Sequence, residues 1–101
     1  MSGFAVIVDF RLKPGMRGAF RTLVDANARA SASTESDCLR FDVLEPDEQP
    51  DCILLYEIYA DRGAFQIHID SAHYRTFAAE SEVLCASKTV ITCDLVCEGG
   101  A

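Results

Sequence analysis

The sequence predicts one α+β domain of element order β-α-β-β-α-β. Three observations predict it: a length of 101 residues, which holds one hydrophobic core; stretches of period-two and period-3.6 apolar patterning in that order; and turn residues at the joints. Half the residues are hydrophobic and a quarter charged, the balance of a globular chain, so residues 1–101 are expected to fold as a single domain. With 9 Lys and Arg against 16 Asp and Glu the net charge is −7, the wrong sign for nucleic acid or an anionic membrane, and neither partner is expected.

Phe4-Ala-Val-Ile-Val-Asp-Phe-Arg-Leu12 is rich in β-branched and aromatic residues and closes on Lys13-Pro14-Gly15, a strand ended by a turn. From Met16 to about Ser33 the apolar residues Met16, Phe20, Leu23, Val24 and Ala30 follow a helical period, with Arg21, Asp25 and Arg29 on the other face. Asn27 falls on the apolar stripe. Cys38–Leu44 alternates as a strand, and Glu45–Asp51, with two prolines, reads as an exposed hairpin loop. Cys52–Tyr59 is apolar almost throughout apart from Glu57, so it is expected to be covered on both faces.

Asp61 can cap a short helix carrying Ala64, Phe65 and His68, and Ser71 a second carrying Tyr74, Phe77 and Ala78. The last strand is expected over Lys88–Cys97, with Ile91, Cys93, Leu95 and Cys97 on one side. Short connections and chain handedness then put the helices on one face of a four-stranded antiparallel sheet, the ferredoxin-like arrangement. Apolar residues occupy both parities of the strands, as in Ile7 beside Val6 and Val8, so the second face needs a cover. A homodimer packed sheet to sheet supplies one.

The N-terminus lacks a basic region followed by a 7–15-residue apolar run, and no stretch approaches the roughly 18–20 apolar residues of a membrane span. Five cysteines, Cys38, Cys52, Cys85, Cys93 and Cys97, form an odd set with no C-x-x-C, so small buried thiols in a cytoplasmic protein are expected. His68 and His73 lack the H-E-x-x-H register, are separated by an expected helix break at Asp70-Ser71, and have no carboxylate or cysteine locally placed to complete a tetrahedral set, so no metal is expected. Phosphate-binding glycine motifs and G-x-S-x-G are absent too.

What remains is polar residues on faces that should be apolar: Asn27, Glu57 with Tyr59, and His68. These four could converge between sheet and helices, with His73 at the pocket rim or exposed to solvent. A carboxyl in an apolar wall is pushed up in pKa and an imidazole moves protons near neutrality, so proton transfer needs no cofactor. Each also has a structural explanation: His68 and Asn27 as hydrogen-bonded core residues, Glu57 paired with Arg40 or Arg11, Tyr56 and Tyr59 as core aromatics.

Asn27-Ala-Arg-Ala-Ser31, Glu35-Ser-Asp-Cys-Leu-Arg-Phe-Asp-Val-Leu44, Leu55-Tyr-Glu-Ile-Tyr59 and Ala64-Phe-Gln-Ile-His-Ile-Asp-Ser-Ala-His-Tyr74 together resemble the antibiotic biosynthesis monooxygenase (ABM) family over roughly residues 4–96. The nearest subgroup by resemblance is the quinol monooxygenases, together with the isomerase that processes phosphorylated autoinducer-2. The resemblance implies a ferredoxin-like dimer closing into an α+β barrel, and oxidation of a quinol or polyketide-like phenol with O2 as co-substrate and no metal or flavin. It also implies roles: His68 as proton shuttle, Glu57 orienting or charging it, Tyr59 and Asn27 on the oxygenated substituent, and Phe41, Phe65 and Tyr74 lining the pocket. Haem-degrading members carry tryptophan where this chain has His68 and a histidine near Ala78, so haem is not expected. The isomerase carries a histidine where this chain has Ala28.

An isomerase or other proton-transfer enzyme on a small hydroxy-carbonyl compound, phosphorylated or not, is the second expectation. It needs a cation near the pocket, for which Arg40, Arg11 or His73 are candidates. A dimer that binds a small molecule without turnover is the third.

Overall fold

The computed structural model describes residues 3–100. Its elements are β1 (Gly3–Leu12), α1 (Arg17–Thr34), β2 (Cys38–Leu44), β3 (Cys52–Tyr59), α2 (Arg62–Ile69), α3 (Ala72–Ser81) and β4 (Cys85–Leu95), with a single 3-10 turn, Glu82–Leu84, before β4. The four strands form one antiparallel sheet in the order β2-β3-β1-β4, the ferredoxin-like α+β topology.

Register decides what each strand shows to the helices. Phe10 pairs with Ile53 and Lys88, Val8 with Leu55 and Val90, Val6 with Glu57 and Thr92. Cross-strand partners share a face, so Glu57 and Lys88 point to the same side as the core residues Val6, Val8 and Phe10. Phe20 and Val24 of α1 and Phe77 of α3 close that core, with ring centroids of Phe10 and Phe20 4.8 Å apart. Each fully buried aromatic of this kind contributes roughly 1.5–3 kcal/mol.

The turn after β1 needs a left-handed residue, and Gly15 supplies it at φ +78°. Arg21 ties α1 to the hairpin loop through Glu45 at 2.7 Å while pairing with Asp25 one turn on. The helix pair turns on Ser71: its hydroxyl donates to the carbonyl of His68 at 2.6 Å and accepts from the Tyr74 amide at 3.2 Å. Asp61 caps α2 as expected, accepting from the Ala64 amide.

β4 departs from expectation, running Cys85–Leu95 rather than from Lys88 to Cys97. It starts early because Cys85 pairs with Leu12 across a bulge, and its ladder to β1 ends where Leu95 meets Gly3. Small Ala86 and Ser87 hide this start from a periodicity argument. Only Cys38 and Cys52 are buried thiols; Cys85 and Cys93 are half-buried and Cys97 is exposed. The sheet face away from the helices carries Ile7, Leu44 and Ile91, which are 37%, 45% and 52% exposed. Among the described residues no helix is long and apolar enough to cross a membrane.

Candidate functional site

Between the helix-facing side of β1, β3 and β4 and the α2–α3 pair lies a cavity of about 180 Å³. Its wall is mostly apolar. The polar exceptions are Asn27, Glu57, His68, Tyr74 and Lys88.

His68 is 2% exposed, and its ring sits among the rings of Phe41, Tyr59, Phe65 and Tyr74 with centroids 5.2–6.4 Å away. Burial there lowers its pKa below the usual 6.5, against the pull of Glu35, so the ring is neutral at pH 7. Its Nδ1 lies 2.9 Å from Glu35 Oε2 and 3.3 Å from Ser31 Oγ. A carboxylate oxygen only accepts, and the Ser31 hydroxyl proton is committed to the Asn27 carbonyl at 2.7 Å. Nδ1 therefore carries the ring proton, and Nε2 is left with a lone pair for the cavity.

Glu35 is held by the turn from α1 into β2. Its own amide donates to Ser31 O, and its carbonyl accepts from the Cys38 amide. The same Oε2 also accepts from His73 Nε2 at 2.5 Å, while Oε1 is buried without a hydrogen-bond partner among the described residues. Glu35, His68 and His73 thus present one potential ligand atom each within 4.8 Å of one another. The carboxylate that local sequence did not place beside the two histidines is brought there by the fold, across more than thirty residues.

Glu57 does not reach His68 as expected. Its Oε1 accepts from the Tyr59 hydroxyl at 2.6 Å, and burial raises its carboxyl to about 7 despite that bond and the Lys88 charge. Tyr59 is fully buried behind Glu57 rather than in the cavity wall, and its phenol is pushed far above its ordinary range by burial and by Glu57. Asn27 is 3% exposed, lines the cavity, and has a buried Oδ1 with no partner among the described residues. An unpaired buried amide oxygen costs about 1–3 kcal/mol, so a hydrogen-bond donor reaching it would be bound favourably.

Phe41, Phe65 and Tyr74 line the cavity, while His73 lies outside it against a groove between α1 and α3. Arg40 is not at the site: residue alternation in β2 points it to the opposite face, where it pairs with Asp42 and lies 5.7 Å over the Tyr56 ring. Arg11 is on that face too, bound to Asp9 and Gln49. The cation near the cavity is Lys88, whose Nζ donates to the Tyr74 hydroxyl at 3.3 Å and lies 5.4 Å over Phe10.

Glu35, Ser31 and Lys88 were not singled out from the sequence. Glu35 sits at a helix end, where acidic residues are ordinary, and Lys88 stands at the expected start of the last strand. Glu35 does open one of the segments that carry the family resemblance, a signal that gave it no role, and no local signal marked Lys88.

The family model described as "Antibiotic biosynthesis monooxygenase" matches residues 3–80. A curated relative, "Putative monooxygenase Rv0793" of Mycobacterium tuberculosis, is 31% identical over 91 residues, covering 90% of this chain and 88% of its own. The solved structure of that protein superposes with a TM-score of 0.89 at 29% identity, covering 97% of this chain and 99% of that one. A second solved structure, from Nitrosomonas europaea and titled "Putative antibiotic biosynthesis monooxygenase", gives 0.85 at 26% identity, covering 89% of this chain and 95% of that one.

Proposed function

Because the chain belongs to the antibiotic biosynthesis monooxygenase family, we propose that it is a cofactor-independent oxidoreductase. On this reading it binds a small quinol or phenol in the cavity and hands it, deprotonated, to O2. The observation that carries the reading is the His68 ring: buried, neutral, and fixed by Glu35 so that its lone pair serves the cavity. A phenolic proton passes to His68 Nε2, and the resulting anion is delocalised onto ring carbon. That electron-rich carbon reduces O2, so one oxygen atom enters the ring and the other leaves as water. A quinol supplies the electrons: quinol plus O2 gives hydroxyquinone plus water.

Asn27 and Glu57 bind the substrate oxygens, with Tyr59 positioning Glu57. The apolar wall excludes the water that would reprotonate the anion. The cavity falls below the roughly 300 Å³ of sites for drug-sized ligands, which favours a single aromatic ring over a fused polyketide. A second copy covers the open sheet face in this account and closes the α+β barrel. Oxygen uptake by metal-free protein with a panel of quinols and anthrones tests it; a folded protein that consumes no O2 with any of them contradicts it.

Lys88 supports a second reading, proton-transfer isomerisation of a small hydroxy-carbonyl compound, since it puts a cation beside the cavity where a phosphate could be met. Turnover undiminished under anaerobic conditions would select that reading.

A further inference from the structure

We propose that Glu35, His68 and His73 form a site for a divalent d-block cation of the zinc type, and that its occupation turns His68 from a proton acceptor into a donor toward the cavity. The first half stands on the geometry of the cluster; the second rests on the reading of His68 as a base.

Two imidazoles and a carboxylate are a ligand set that suits zinc, nickel or copper rather than magnesium or calcium. Their ligand atoms, His68 Nδ1, His73 Nε2 and a Glu35 oxygen, lie within 4.8 Å of one another. Both rings aim at the same point, now held by Oε2 at 2.9 Å and 2.5 Å. Metal bonds of roughly 2.0–2.2 Å set tetrahedral neighbours about 3.3–3.5 Å apart, so a retreat of Oε2 by on the order of 1 Å admits an ion.

A second observation points the same way. The Glu35 side chain is only 9% exposed, yet its Oε1 has no partner, so the carboxylate holds acceptor capacity that no neighbour uses. Access does not require the substrate cavity. His73 is 22% exposed and borders the groove between α1 and α3. Three protein ligands leave a fourth position for water, and Ser31 Oγ, 3.3 Å from His68 Nδ1, stands close enough to hold one.

The consequence for His68 follows from proton bookkeeping. A metal takes the Nδ1 lone pair, so the Nδ1 proton leaves to solvent and the neutral ring carries its one proton on Nε2. His73 likewise exchanges its Nε2 proton for one on Nδ1, and neither ring changes its net charge. Nε2 of His68 then offers N–H to the cavity and accepts nothing. Metal binding opposes deprotonation of the substrate.

Cobalt(II) titration of the full chain, kept reduced and followed by equilibrium dialysis, tests the site without reference to activity. One Co2+ per chain is expected at micromolar concentration, with d–d bands and no thiolate charge-transfer band. His73→Ala and Glu35→Ala should weaken binding about 10–100-fold, and a Cys93→Ser/Cys97→Ser variant should leave it unchanged. His73 is partly exposed, so His73→Ala decides the question if Glu35→Ala fails to fold. Absence of binding, a thiolate band, or undiminished binding by His73→Ala overturns the proposal. Nitrogen NMR of His68 tests the second half: Zn2+ should move the ring proton from Nδ1 to Nε2, and an unmoved tautomer in the loaded protein refutes it. Failure of oxygen uptake by metal-free protein would instead count against the oxidative reading and leave the metal site standing.

Discussion

Glu35 Oε2 lies 2.9 Å from His68 Nδ1, joining the end of one helix to a buried ring on another across 33 residues of chain. This contact settles which nitrogen of His68 bears the proton, and so which one can work. His68→Ala is expected to lower kcat about 10²–10⁴-fold, the usual contribution of a general base. Glu35→Ala should lower kcat less, roughly 10-fold, and cost about 1–3 kcal/mol of stability, because it leaves the buried His68 N–H without its carboxylate partner. Steady-state kinetics beside chemical denaturation separates the two.

Glu57 makes stability depend on pH. Its carboxyl rises from 4.5 to about 7 on folding, so the folded chain binds a proton between these values that the unfolded chain has released. Stability is greatest below the unfolded value and falls as pH rises through 7, by about 3 kcal/mol in all. Glu57→Gln should remove this decline. Urea denaturation at about pH 5 and pH 8 checks it, and a wild-type stability that climbs over that interval would be the wrong sign.

The same two groups shape the pH profile of the reaction. kcat/KM should rise as His68 loses its proton below pH 6.5 and fall again as Glu57 ionises near 7 and repels an anionic substrate. Glu57→Gln should keep the acid limb and lose the alkaline one.

Asn27 has an unpaired buried oxygen, so the free protein gains little from it. Asn27→Ala should change stability by less than about 1 kcal/mol while weakening substrate binding about 10-fold or more. Calorimetric binding of a quinol, compared with the denaturation midpoint, tests both halves.

The strands and helices were legible because their apolar periodicity is local. Asn27, Glu57 and His68 could be picked out because each interrupts an apolar face. Their pairings were not legible. Glu57 bonds to Tyr59 two residues on along the same face of β3, whereas His68 is served by Glu35 from a distant turn. Arg40 failed as a candidate for a reason of parity, since a bulge between Cys38 and Arg40 fixes which side of β2 it takes. Lys88 was missed because the start of β4 was placed at it rather than three residues before.

The open sheet face carries Ile7 directly opposite Ile91. If a second copy covers them, Ile91→Lys should halve the sedimenting mass by burying an unpaired ammonium in the interface. Because Ile91 is half exposed in the single chain, the variant should keep its circular dichroism. Leu95→Lys, further along the same face, should act in the same direction. A wild-type chain that sediments as a stable monomer at micromolar concentration contradicts the dimer.

The most direct test of the oxidative account is the fate of isotope-labelled O2 given to the metal-free protein with a single-ring quinol. The account predicts one labelled oxygen in the hydroxyquinone and the other in water, with product formation suppressed by His68→Ala. Product whose new oxygen comes from unlabelled water, or the same product at the same rate from His68→Ala, would contradict it.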